Sequence, residues 1–246
     1  MHEAGPVIDN SYNGCMRRAW ILLLLALAVP LAASEPFRVI ANVFSVGVSD
    51  STVFLIATPK GLVLLDSGAV SEYDKIRANI VKLGFDYYNI RILLLTQAVP
   101  SQAGNLARIR RETGAMLMVA EADVPLLEHG GAGTFPSVGV DQKLRTGDRV
   151  AIGGLILIPV LTPGDTKGCT TWTTQVRWER KPYDVVFVGC RPANLEALRA
   201  LKPDVFLASR GTLFDLEGKY ARRDSKPNPF IDPKGFRKFV DEAPRH

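Results

Sequence analysis

Two β-rich segments follow each other along this chain, and each is accompanied by helices. In the first segment, short apolar or alternating runs have the pattern of strands, and Pro59-Lys60-Gly61 marks a turn between two of them. The predicted strands are residues 37–46, 52–57, 62–66, 90–95 and 116–120. Residues 71–83 have the spacing of an amphipathic helix that ends at Gly84. The order predicts an antiparallel meander followed by a β-α-β unit.

The second segment repeats this order of strands and helices. Its predicted strands are residues 149–152, 155–161, 170–178, 185–188 and 205–208. The predicted helices of the remaining chain are residues 103–113, residues 123–128 before a Gly-rich loop at 130–133, and two that start at Ala193 and Leu213. With 246 residues, of which 47% are hydrophobic and 22% charged, the chain can form one sizeable core. The pattern alone favours one mixed α/β or α+β domain.

The first 34 residues have the layout of a secretory signal peptide. Arg17 and Arg18 precede an apolar run at residues 19–33, which ends in small residues before Glu35. This pattern predicts export to the periplasm or the medium, a mature domain of residues 35–246, and no membrane contact after cleavage. A retained N-terminal anchor is the alternative, and Met16, directly before the arginines, is a second candidate start of translation.

Charge and cysteine content limit the function classes. The formal charge of +5 is modest and its Lys and Arg residues are dispersed, so the sequence does not indicate a nucleic-acid partner. Cys169 and Cys190 lie almost symmetrically about a predicted hairpin turn at residues 179–182. A cross-strand disulfide between them is one interpretation, and two free cysteines are the other.

Seven sequence blocks, in their order along the chain, carry a family resemblance. They are Pro36-Phe37-Arg38-Val39-Ile40, Leu64-Leu65-Asp66-Ser67-Gly68, residues 78–85, Leu94-Leu95-Thr96-Gln97-Ala98, residues 161–170, Asp204-Val205-Phe206-Leu207 and residues 228–232. The chain resembles the metallo-β-lactamases, most closely their subclass B3. The resemblance implies an α+β fold, the four-layer αββα sandwich, and an active site with two zinc ions that activate water.

The same resemblance places the zinc ligands, and five of six positions depart from the family pattern. The motif His/Gln-x-His-x-Asp-His falls on Gln97, Val99, Ser101 and Gln102. The histidine of Pro-Gly-His-Thr falls on Asp165, and that of Ser-His-Gly on Arg210. Valine cannot coordinate a metal, and an arginine side chain carries no lone pair for one. The sequence therefore predicts a vestigial site, without zinc or another cofactor and without catalytic residues.

The histidine content supports this prediction, because the chain has only His2, His129 and His246. His129, before Gly130-Gly131, is interpreted as a loop histidine. Asp66 and Cys190 are the remaining candidates for a residual metal site, together with Asp165 and Gln97. The structural interpretation of Asp66 is a carboxylate that accepts backbone hydrogen bonds in the turn at Ser67-Gly68.

Two further expectations concern the cleft. Family members carry a long segment after the strand that ends near Cys190, whereas here residues 191–194 lead almost directly into a helix, so one wall of the cleft should be missing. Asp165 and Arg210 are expected to form an ion pair in place of the metal.

Three functions remain open at this stage. The first is an exported pseudoenzyme that binds an unknown small molecule or protein. The second is a subclass B3-type hydrolase with an unorthodox metal site, and the third is a structural partner of an active paralogue.

Overall fold

The structure, a computed structural model, describes residues 1–2, 35–47, 50–192 and 194–242. Residues 3–34, with the arginine pair and the apolar run of the predicted signal peptide, lie outside the described residues. The described residues from Glu35 onward belong to one compact unit. Within the described part of the chain, no helix is long and apolar enough to cross a membrane.

The first half of the domain forms a seven-stranded sheet in which the strands lie in sequence order. Strands β1 to β4 pair in antiparallel fashion, and β4 to β7 pair in parallel. The strands are β1 (Phe37–Ile40), β2 (Val43–Ser45), β3 (Phe54–Thr58), β4 (Gly61–Leu65), β5 (Ile90–Leu94), β6 (Met116–Ala120) and β7 (Gln142–Leu144). Since β4 and β5 are parallel, their carboxyl ends lie at the same sheet edge.

The second half forms a five-stranded sheet in the order β12-β11-β10-β9-β8. Only β11 and β12 pair in parallel in it. Its strands are β8 (Val150–Ile152), β9 (Leu155–Leu161), β10 (Thr170–Trp178), β11 (Lys181–Val188) and β12 (Val205–Ala208). The hairpin turn between β10 and β11 lies at Glu179 and Arg180, as predicted.

Helices pack on the outer faces of both sheets. They are α1 (Tyr73–Lys82), α2 (Pro100–Ala103), α3 (Leu106–Thr113), α4 (Val124–Glu128), the left-handed turn α5 (Gly130–Gly133), α6 (Glu196–Arg199), α7 (Leu216–Ala221) and α8 (Pro233–Asp241). One apolar cluster combines inward residues of both sheets, such as Phe54 and Trp172, and extends to α8. A second cluster lies between the first sheet and α1, α3 and α4. These layers form the αββα sandwich that the resemblance implied.

Several local predictions need correction. The predicted strand at 37–46 is two strands, because the chain reverses at Ala41 with φ 47°. The helix predicted from Ala193 begins at Glu196, and the helix predicted from Leu213 begins at Leu216 after a turn at Gly211–Phe214. The helix predicted at 103–113 begins at Leu106 as α3, and Ala103 ends a separate short helix, α2, that was not predicted.

Candidate functional site

The six positions that the resemblance assigned lie on three loops that meet at one edge of the sandwich. Gln97 to Gln102 follow β5, Asp165 lies between β9 and β10, and Arg210 follows β12. The Nε2 of Gln102 lies 3.4 Å from the carbonyl of Ser209, and Thr170 N donates to Thr96 O at 2.7 Å. The structure therefore connects the first loop to each of the other two.

Neutral side chains occupy the loop after β5. Gln97 is 3% exposed, and its Oε1 has no hydrogen-bond partner among the described residues. Val99 is half-buried and precedes α2, where Ser101 Oγ donates to Gln102 Oε1 at 2.5 Å. An amide oxygen or a hydroxyl is a weak zinc ligand compared with imidazole or carboxylate, and an isopropyl group is none.

Arg210 and Asp165 do not form the predicted ion pair. Arg210 Nε lies 3.2 Å from Asp50 Oδ2, and Asp50 Oδ1 also accepts from Thr212 N at 2.8 Å. The Arg210 side chain is 63% exposed, so this pair contributes roughly 0–1 kcal/mol. Asp165 is exposed and has no ion-pair partner among the described residues. The prediction was wrong because Asp50, in the β2–β3 connection, lies beside the turn after β12 and pairs with Arg210 in place of Asp165.

The buried side chain of Asp123 connects two of the three loops by hydrogen bonds. Its side chain is 1% exposed and accepts hydrogen bonds from Ala98 N at 2.8 Å, Thr166 Oγ1 at 2.8 Å and Gly168 N at 2.7 Å. A Cβ at Gly168 would lie 2.5 Å from Asp123 Cγ, so only glycine allows this approach. A protein carboxylate thus connects the loops that contain Ala98 and Asp165.

Cys169 and Cys190 form a disulfide with a Cα–Cα distance of 6.4 Å. It connects the β9–β10 loop to the end of β11, and both cysteines are buried. A disulfide sulfur offers no thiolate, so the suggested residual metal site with Cys190 as a ligand is wrong for this form of the protein. Of the two interpretations of the cysteines, the cross-strand disulfide is the one in the structure.

The carboxyl group of Asp66 accepts hydrogen bonds within the protein, but its donors differ from those expected. The carboxyl group accepts from Thr96 N at 2.7 Å and from Thr96 Oγ1 at 2.8 Å, rather than from the turn at Ser67-Gly68. The residue is 1% exposed and adopts φ 65°. Burial raises the pKa of Asp66 from 3.8 to about 7, while the hydrogen bonds from Thr96 oppose this shift.

The replacement Asp66→Asn should therefore change how stability depends on pH. The unfolded chain loses the Asp66 proton near pH 3.8, whereas the folded protein keeps it up to about pH 7. Since the folded state binds the extra proton in this window, the wild-type free energy of unfolding falls as the pH rises through it. Asparagine stays neutral and tolerates a positive φ. We expect the stability of Asp66→Asn relative to wild type to increase with pH across this window in urea unfolding. An equal trend for Asp74→Asn, at an exposed position on α1, would contradict this assignment.

The described residues contain no group of three or more His, Cys, Asp or Glu side chains that could hold a metal ion. His129 is exposed at the end of α4, and its Nδ1 lies 2.7 Å from Pro125 O, which agrees with a loop histidine. The side chains at the six positions do not fit a pair of zinc ions, because they include an apolar group, a cation and three neutral polar groups.

The structure resembles solved metallo-β-lactamases over most of its length. Native FEZ-1 from Legionella gormanii is 32% identical, with a TM-score of 0.82 over 85% of this chain and 92% of that one. BJP-1, a subclass B3 enzyme of Bradyrhizobium japonicum, is also 32% identical, with a TM-score of 0.81 over 85% and 90%. A metallo-β-lactamase from Cronobacter sakazakii with an HARLDQ motif is 28% identical, with a TM-score of 0.78 over 85% and 94%. No family model matches the chain.

The sandwich, the position of the loops and this identity define the class. The chain belongs to the metallo-β-lactamase superfamily. Within that superfamily its fold is of the subclass B3 type, as the similarity to the subclass B3 enzyme BJP-1 shows.

Proposed function

We propose that this chain is a non-catalytic member of its superfamily: an exported domain of residues 35–246 that neither requires zinc nor hydrolyses β-lactams, and that acts by binding. The observation that carries this proposal concerns the side chains at the loop edge, the sandwich edge where the loops after β5, between β9 and β10, and after β12 meet. Groups that do not bind metal stand there in place of metal-binding ones. Val99 and Arg210 stand where the family pattern has histidines. Asp123 connects the loops that contain Val99 and Asp165 without a metal, and the Cys169–Cys190 disulfide connects the β9–β10 loop to the end of β11. The export proposal depends on the N-terminal sequence pattern alone.

The second candidate, a hydrolase with an unorthodox site, is favoured by one comparison. The motif HARLDQ of the Cronobacter sakazakii metallo-β-lactamase also lacks the second and last histidines of His-x-His-x-Asp-His. In the corresponding stretch of this chain, Ala98 and Gln102 match that motif. Gln97 and Ser101, however, replace its histidine and aspartate, so this chain departs at the two ligands that HARLDQ retains.

Metal analysis and an activity assay on residues 35–246 test the proposal. We expect substoichiometric zinc after dialysis against zinc, and hydrolysis of a carbapenem and a cephalosporin no faster than in buffer, because the metal-bound nucleophile supplies most of the rate in this family. Native FEZ-1, purified in the same way, is the positive control. Turnover that is lost with a chelator and restored by zinc would support the second candidate and contradict the first.

A further inference from the structure

A cavity of about 580 Å³ lies on the second sheet, away from the loop edge. Its volume is in the range of small-molecule sites, which are roughly 300–1,000 Å³. Strands β9, β10 and β11 contribute to it, and residues 200–203, which follow α6, form the opposite wall. None of the six candidate zinc positions lines it.

The floor of this cavity is apolar and incompletely packed. Ile156 and Ile158 point to the same side of β9 and are half-buried, and both line the cavity. Among the described residues, neither belongs to the two hydrophobic cores. Leu201 of the wall, which is only partly buried, adds further apolar surface. The short α6, only four residues long, leaves this part of the sheet open.

Charged side chains surround this floor, with an excess of positive charge. Arg149 and Lys202 line the cavity and are exposed, so they stand at its mouth. In the part of the chain that the structure describes, no carboxylate lies within the ion-pair distance of 4.0 Å from either cation. The one lining carboxylate, Asp184, accepts from Gln175 Nε2 at 3.0 Å across the β10–β11 pair. Two cations and one carboxylate give the lining a net charge of +1.

We propose that this cavity binds a small amphipathic organic anion, with its alkyl or aryl body on Ile156 and Ile158 and its carboxylate or sulfonate near Arg149 and Lys202. The apolar floor favours a hydrocarbon body because it removes apolar surface from water. The unpaired cations favour an anionic head over a neutral or cationic one. The cavity and the loop edge share no residue. Ligand binding in the cavity can therefore be tested separately from β-lactam hydrolysis at the loop edge.

Fluorescence titration with two related dyes tests the proposal. 8-Anilinonaphthalene-1-sulfonate has an aryl body and a sulfonate, and N-phenyl-1-naphthylamine has the same body without the charge. We expect saturable binding of one sulfonate dye per chain, and weaker binding of the neutral dye. Arg149→Gln and Lys202→Gln should each weaken the sulfonate dye about 2- to 5-fold, as expected for exposed charge pairs, and leave the neutral dye unchanged. Lys234→Gln, at an exposed position on α8, is the matched control.

The apolar floor and the location of the dye are tested separately. Ile158→Asp should abolish binding of both dyes, whereas Val81→Asp, at an exposed valine of α1, should not. Cooperative unfolding of each variant shows that the variant is folded. Changes in the amide chemical shifts of Gly153 and Gly154 show whether the dye binds at this cavity. Binding that responds to Arg210→Gln but not to Arg149→Gln or Lys202→Gln would overturn the proposal. A second copy of the chain that covers the cavity would also overturn the proposal. In that case sedimentation would show a dimer that does not bind the dye, and the substitution Ile158→Asp would dissociate this dimer.

Discussion

Replacing Asp123 with alanine is expected to lower the free energy of unfolding by about 3–5 kcal/mol. The substitution leaves the buried N–H groups of Ala98 and Gly168 and the hydroxyl of Thr166 without their acceptor. Each such group loses its hydrogen-bond acceptor, and water has little access to replace it. Urea denaturation of wild type and variant measures the loss.

Hydrogen exchange distinguishes the local role of Asp123 from a general loss of stability. Amides of residues 166–169 should exchange faster in Asp123→Ala than the global change in stability explains, because this loop loses its connection to Ala98. Asp148→Ala is the matched control: this exposed carboxylate accepts one backbone hydrogen bond, from Arg145 N, and its removal should cost about 1 kcal/mol or less. A loss for Asp123→Ala as small as that of the control would show that the loops do not depend on Asp123.

The regular strands could be predicted from the sequence where the apolar pattern is continuous. The bounds of β6, β9 and β10 agree with their predictions, since apolar or β-branched side chains predominate in these strands. Strand β7 was missed because Gln142–Leu144 has no strand pattern and is held by its backbone pairing with β6. Helix α8 was missed although the sequence has a signal for it: Asp232 caps the helix, Pro233 opens it, and Phe236 and Phe239 lie on one face.

The contacts at the loop edge could not be predicted in the same way. Asp123 reads locally as the start of a short helix, but its partners Ala98 and Gly168 are 25 and 45 residues away in the chain. Asp50 likewise meets Arg210 only because the chain before β3 pairs with the chain after β12, through the bridge between Ser51 and Arg210. Sequence analysis could state which residue types stand at the six positions that the resemblance assigns, since that depends on residue identity. It could not state which side chains take over the connection between the loops.

Restoring the family's ligands should create a zinc site in this scaffold. The variant would combine Val99→His, Ser101→Asp and Gln102→His with Asp165→His and Arg210→His, and would retain Gln97. The variant retains Asp123, which connects two of the three loops, and the hydrogen bond from Thr52 N to Ser209 O beside the third loop. The introduced side chains should therefore converge at one sheet edge. Imidazoles and a carboxylate are the ligands that zinc prefers. We expect stoichiometric zinc binding with a Kd below about 1 µM, a binding free energy of roughly 8 kcal/mol.

Urea unfolding with and without zinc measures the zinc binding of the variant independently of any enzymatic activity. At free zinc about 100 times the Kd, the stability of the variant should rise by about 2.7 kcal/mol, while wild type should not respond. A matched variant with Val99→Ala in place of Val99→His has one imidazole fewer and should bind zinc more weakly. If the restored variant folds cooperatively but binds no zinc, the loops do not hold these positions as the family does. The proposal that Val99, Ser101, Gln102, Asp165 and Arg210 mark a vestigial metal site would then fail, because a site whose geometry was kept should recover its metal once the ligands return.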